Sequence, residues 1–172
     1  EDGNFEVKRE ASSGLLDALQ KDGTKIYPNF YKEEQTKNVE STLRIFKERT
    51  EIDLECLMEG SFPEDENEIA IDRMYADNNS LKTGDTLDDG TKSWTITGLV
   101  ALSDYSCLFQ SNNDSMFDAV KFGVGVVTDE EFDSLDQDKL QYNYAWTYNE
   151  KPQTELEEKN VSEDLMKAMG KV

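Results

Sequence analysis

The side chains able to do chemistry in this 172-residue chain form a narrow set: 38 aspartates and glutamates, 18 lysines and arginines, two cysteines and no histidine. Without imidazole there is no Ser-His-Asp triad, no Cys-His nucleophile, no HExxH metalloprotease helix and no histidine-bearing zinc site. Cys56 and Cys107 alone cannot build a four-thiolate zinc site. What remains is carboxylate acid–base work, a lysine-assisted nucleophile or an oxygen-ligated metal.

None of these has a local signature. Glu64-Asp65-Glu66 and Asp88-Asp89 offer oxygen ligands, but a calcium loop spaces its acids at alternate positions around a glycine at the sixth. They read as exposed turn acids, and the polar run Ser111 to Ser115 reads as a hairpin tip. With 38 acids any chosen carboxylate pair is arbitrary, so an acidic hydrolase has no positive support. The expectation is a non-enzyme, with no catalytic, cofactor-binding or metal-binding residue assigned. Asn-x-Ser triplets starting at Asn78, Asn113 and Asn160 match a glycosylation acceptor, a motif short enough to arise by chance.

Cys56 and Cys107 lie 51 positions apart, and sequence alone does not fix whether they pair. Each sits in apolar, strand-like text (Leu54, Cys56, Met58 and Cys107, Leu108, Phe109), which favours buried free thiols. The net charge of −20 argues against nucleic acids and anionic membrane surfaces, whose binding depends on Lys and Arg displacing counterions. The acids run through the whole chain, so a solvated acidic surface is the simplest reading.

The elements that must position these residues draw on a lean core. Leu, Ile, Val and Phe make 38 of 172 residues, just above the roughly 20% below which disorder sets in. The length fits one domain, or two small lobes. No apolar run approaches the 18 residues of a membrane span, and no leader-like segment stands ahead of Glu1, so the chain reads as a piece of a longer protein.

Leu15, Leu16 and Leu19 at helical spacing behind Ser12 and Ser13 predict a helix over 13–21, stopped by Asp22-Gly23. Alternation over Ile26 to Tyr31 predicts a strand, and Pro28 places it at a sheet edge or marks a strand start. Strands over 42–47 and 53–58, close in sequence, suggest antiparallel neighbours, with Leu54, Cys56 and Met58 sharing one face. After the turn Gly60-Ser61-Phe62-Pro63 come the run Ile69-Ala70-Ile71, a helix over 73–77 capped by Asp72, and a second turn at Gly84-Asp85.

Asp88-Asp89-Gly90 then opens a hairpin whose second strand, Ser93 to Leu102, sets Trp94, Ile96, Gly98 and Val100 on one face. Val120 to Thr128 reads as a glycine-bearing strand close to another backbone, followed by a short helix capped by Thr128 or Asp129. Leu140 to Thr147 is an aromatic-faced strand. Thr154 and Glu157 form a capping box for a final helix striped by Val161, Leu165 and Met169, with Leu156 off its edge. A helix followed by clustered strands, without strict alternation, argues for an α+β fold.

The middle segment carries a more specific pattern. Gly60-Ser61-Phe62-Pro63, then Asn67 to Asp72 (NEIAID), Ala76, Leu81-Lys82-Thr83-Gly84-Asp85-Thr86, and Trp94 to Val100 (WTITGLV) arrive in one order. That order resembles the extracytoplasmic core domain of MacB-like, FtsX-like ABC transporter permeases. The match covers about Gly60 to Val100, roughly a quarter of the chain.

The resemblance implies a single domain over 1–172. It would consist of a helix-and-sheet lobe from both chain ends (1–58 with 120–172) and a β-rich lobe from 59–119. It further implies a place between two transmembrane helices of a permease, outside the bacterial cytoplasmic membrane. The segments before about residue 12 and after Thr154 would then be the stalks. The implied role is non-catalytic: transmission of conformational change and contact with an exported substrate or extracellular partner. A separate cytoplasmic ATPase would hydrolyse ATP, since no Gly-rich phosphate loop occurs in this chain. The rival reading is a free-standing secreted acidic binding or adhesion module.

Overall fold

A computed structural model describes residues 1–20, 23–105 and 121–169, the last two by backbone only. In chain order the elements are β1 (Gly3–Val7), α1 (Ser13–Gln20), β2 (Thr24–Pro28), β3 (Tyr31–Thr36), β4 (Ser41–Lys47), β5 (Cys56–Gly60) and β6 (Glu68–Asp72). Then come α2 (Arg73–Asn79), β7 (Thr86–Asp88), β8 (Ser93–Ala101), β9 (Phe122–Val127), α3 (Asp129–Ser134), β10 (Leu140–Tyr148) and α4 (Glu155–Met169). The fold is α+β, as the clustering of strand text predicts.

The chain divides into two compact units, residues 1–30 with 141–172 and residues 31–140. These bounds differ from the lobe bounds near 58 and 120 expected from sequence. The physical reason is β9, which pairs on one side with β6 (Ala70↔Val126, Ile71↔Gly125) and on the other, in parallel, with β4 (Thr42↔Phe122 to Lys47↔Val127), so that one sheet crosses both expected bounds. Neither pairing has a local sequence signal.

The smaller unit is a three-stranded antiparallel sheet in which β10 lies between β1 and β2. The aromatic alternation of β10 becomes its core: Tyr144 and Trp146 are buried with Leu19, Ile26 and Leu165. Phe5 stacks on Tyr144 at 5.4 Å, and Phe30 meets Tyr142 and Tyr144 edge-on at 5.2 Å. The Tyr144 hydroxyl accepts a hydrogen bond from Ala11 N at 3.0 Å, so its polar end is satisfied too. On α4, Leu165 is buried while Leu156 is 67% exposed, the stripe its spacing predicts. Thr154 Oγ1 accepts from Glu157 N, and the Glu157 carboxylate accepts from Gln153 N, a capping box displaced by one residue. Lys21, the last residue of the predicted first helix, and Asp22 of its stop lie outside the described residues, and Gly23 takes φ 89°.

The larger unit is a mixed sheet in the order β3-β4-β9-β6-β8-β5, with β7 pairing β8 ahead of β5. All six residues of β9 are buried at its centre. Its glycines leave room for side chains of other elements: a Cβ on Gly123 would stand 2.6 Å from the Tyr75 ring of α2. The expected close approach is therefore by side chains more than by backbone. Asp72 caps α2 by accepting from Tyr75 N at 3.0 Å, and Thr128 caps α3 by accepting from Glu131 N.

Sequence reading misplaces two features here. The alternation over 26–31 is two strands, because the chain leaves β2 at Pro28 and starts β3 at Tyr31. β3 is charged yet largely buried: Lys32 donates to Phe132 O at 2.7 Å and Leu135 O at 2.9 Å, and Glu34 accepts from Lys139. Those partners lie a hundred residues away and cannot be read locally. Nor are β4 and β5 neighbours, since β4 sits between β3 and β9 while β5 pairs β8.

Candidate functional site

Residues 48–68 carry nine acids against one base, Arg49, a net of −8 in 21 positions. An apolar strand runs through this segment. β5 ends the sheet of the larger unit, and among the described residues it pairs on one side only, with β8. All five of its residues are exposed. Leu54, just ahead of it, is 56% exposed, Leu57 38% and Met58 50%.

The sequence expects Leu54, Cys56 and Met58 to share a buried face and the Cys56 thiol to be buried. The structure overturns both: Cys56 is exposed, and Leu54 and Met58 face solvent. The reason is position at the end of the sheet, where among the described residues no further strand pairs beside it. A β-bulge also breaks the two-residue alternation, since Leu57 pairs with Val100 and Glu59 with Leu99, leaving Met58 as the extra residue. One signal was available, because the apolar residues are interleaved with Glu51, Asp53, Glu55 and Glu59, as in edge strands that shield themselves with charge. Cys107 and residues 111–115 lie outside the described residues.

Both ends of the strand are fixed. At its start, Arg49 Nη1 donates to Asp53 O and to Asp104 Oδ1, each at 2.9 Å, and the guanidinium lies 4.3 Å over the Phe46 ring. Glu55 accepts from Arg49 N, and its side chain is almost wholly buried. Burial raises the Glu55 carboxyl above the ordinary glutamate range, with the backbone donors and the Arg49 charge opposing it. At its end, Gly60 has φ 74° and packs so closely that a Cβ there would stand 2.1 Å from Thr97 O. A side chain at either Gly60 or Gly98 would force β5 off β8, because a Cβ on Gly98 would meet Ser61 O at 2.3 Å. Leu57 reaches over the space that Gly98 leaves open.

Of the other acids singled out in sequence, Glu64, Asp65 and Glu66 are exposed in their turn, whereas Asp88 and Asp89 have internal work. Asp88 and Asp89 tie the β7–β8 turn: Asp88 accepts from Gly90 N and Ser93 Oγ, and Asp89 from Thr91 N and Lys92 N, all at 2.6 Å. The Glu68 carboxylate accepts from Glu64 N and Asp65 N in the acidic turn before β6. Glu131 is fully buried, and its Oε1 accepts from Trp94 Nε1 and Lys92 Nζ, each at 2.6 Å. These are structural roles. Among the described residues no cluster of three or more Cys, Asp or Glu side chains is arranged to hold a metal ion. No described helix is long and apolar enough to cross a membrane.

No family profile matches the chain, and no curated protein matches it. Among solved structures, the chain is similar to the periplasmic region of MacB from Actinobacillus actinomycetemcomitans. The likeness is distant: 10% identity and a TM-score of 0.45, over 91% of this chain and 73% of that one.

Proposed function

We propose that this chain is an extracytoplasmic domain of an ABC transporter permease, acting without catalysis by transmitting motion and by touching another protein. The observation that carries the reading is the ordered pattern from Gly60 to Val100. Its pieces fold in the resemblance's order: a glycine turn, the E-I-A-I strand β6, the capped helix α2, the Gly84 turn at φ 90°, then β7 and β8. Both chain ends belong to one compact unit, as a domain inserted between two membrane helices requires. Its partners would be the flanking transmembrane helices, a cytoplasmic ATPase and an exported substrate or extracellular protein.

The parent reading frame tests this. Apolar spans of about 20 residues on both sides of the fragment are expected. A cleavable leader alone, with a stop near Val172, would replace the permease by a secreted binding module.

A further inference from the structure

An edge strand presents a row of main-chain donors and acceptors to whatever chain can lie beside it. In the larger unit that edge is β5, pinned at one end by Arg49 and at the other by the Gly60–Gly98 crossing. It is therefore a rigid template, at least over its five residues. Its exposed apolar side chains, Leu54, Leu57 and Met58, offer footing for alternate side chains of an added strand. The surrounding charge of −8 decides what could lie there.

A second copy is disfavoured, because pairing β5 with itself would bring Glu55 and Glu59 of both copies together and superpose two acidic segments. The same charge attracts a basic strand. We propose that the outer edge of β5 takes up an extended segment of a partner protein as an added strand, with Lys or Arg alternating with apolar residues. The apolar residues would cover Leu57 and Met58, and the cations would face Glu59 and the acidic turn Glu64-Asp65-Glu66. The Met58 bulge limits the added strand to a short register, so the contact is specific but reversible. This inference concerns the surface of the chain itself and does not rest on the permease reading, so either can fail without the other.

The probe is a labelled, capped peptide of about eight residues alternating Lys and Val, titrated into the full chain by fluorescence anisotropy. Amide hydrogen exchange is read in parallel. A control peptide keeps the charge but replaces two central valines by proline, removing two main-chain donors; two lost hydrogen bonds correspond to binding weaker by about tenfold or more. The expected result is saturable binding with slowed exchange at 56–60 and weaker binding by the proline peptide. Affinity should also fall on going from about 0.1 M to 1 M salt, as the screening length shortens from ~10 to ~3 Å. The double variant Leu57→Lys/Met58→Lys should lose about tenfold or more in affinity, whereas Met74→Lys, an equally exposed apolar position on α2, should bind like the parent.

Equal binding of both peptides with no protection at 56–60 would reduce the effect to general attraction by an acidic surface and overturn the proposal. Absence of binding would overturn it as well. So would sedimentation showing a dimer protected at 56–60, which would make a second copy the occupant. The exchange measurement on the parent chain stands even if the double variant does not fold.

Discussion

The two units of the molecule both close on apolar cores but differ in the charge they carry and bury. The smaller unit holds 12 acids against 8 bases, a net of −4, and closes on aromatic rings: Phe5, Phe30, Tyr142, Tyr144 and Trp146. The larger holds 26 acids against 10 bases, a net of −16, and the buried lysine, aspartate and glutamate residues noted among the described residues, Lys32, Glu34, Asp53, Asp72 and Glu131, all lie in it. For its length the larger unit is both richer in acids and poorer in bases, so the surplus collects on it. Where that surplus meets an exposed apolar strand, at β5, an interaction surface results.

The contrast breaks most sharply at Glu131. Glu131→Ala would leave Trp94 Nε1 and Asn67 N short of an acceptor and Lys92 without its partner. The expected loss is about 3–5 kcal/mol of stability, measured by urea unfolding. Trp146→Ala in the smaller unit should cost a similar ~3–5 kcal/mol, but by opening a cavity, so its cost should respond far less to ionic strength. Equal salt dependence for the two would erase the distinction between the buried Glu131–Lys92 pair of the larger unit and the aromatic cluster of the smaller. A smaller loss, about 1 kcal/mol, is expected for Tyr144→Phe, which removes only the acceptor for Ala11 N and keeps the stacked ring.

Acidity offers a further probe of the larger unit. Burial raises both Glu55 and Asp72 above their ordinary values of 4.5 and 3.8. The native state therefore keeps protons that the unfolded chain has already released. Their contribution to stability is fully present below the ordinary values and lost as pH rises through the raised ones. Self-repulsion at −20 acts in the same direction. The urea midpoint should accordingly rise on acidification from pH 7 toward about 5, and Glu55→Gln should flatten part of that rise. A fall over the same range would mean that native hydrogen bonds to carboxylates outweigh their burial. The smallest effect is expected at the edge: Met58→Lys should change stability by no more than about 0.5 kcal/mol, since half of that side chain is already in solvent, and Leu57→Lys should cost somewhat more because Leu57 packs over Gly98.

Local chemistry made much of this fold readable. Asp72 and Thr128 accept the amide hydrogens their cap positions require, and the buried face of β8 carries Trp94, Ile96 and Val100 as alternation predicts. What escaped was non-local. β3 carries little apolar text, and its burial depends on the carbonyls that Phe132 and Leu135, at the end of α3, offer to Lys32; the β4–β9 pairing joins residues eighty positions apart. The candidate site escaped for a related reason, because an apolar strand reads as buried wherever it stands in the sequence. Only its place at the end of the sheet exposes Leu57 and Met58, and only the acids interleaved with them hinted at it.

The proposed place of this domain is outside the cytoplasmic membrane, joined to it in the full-length protein. Cys56, exposed on β5, provides the handle. In intact cells under mild reduction, a membrane-impermeant maleimide should label Cys56 of the full-length protein, and the labelled chain should stay with the membranes through an alkaline wash. Labelling only after lysis would contradict that placement.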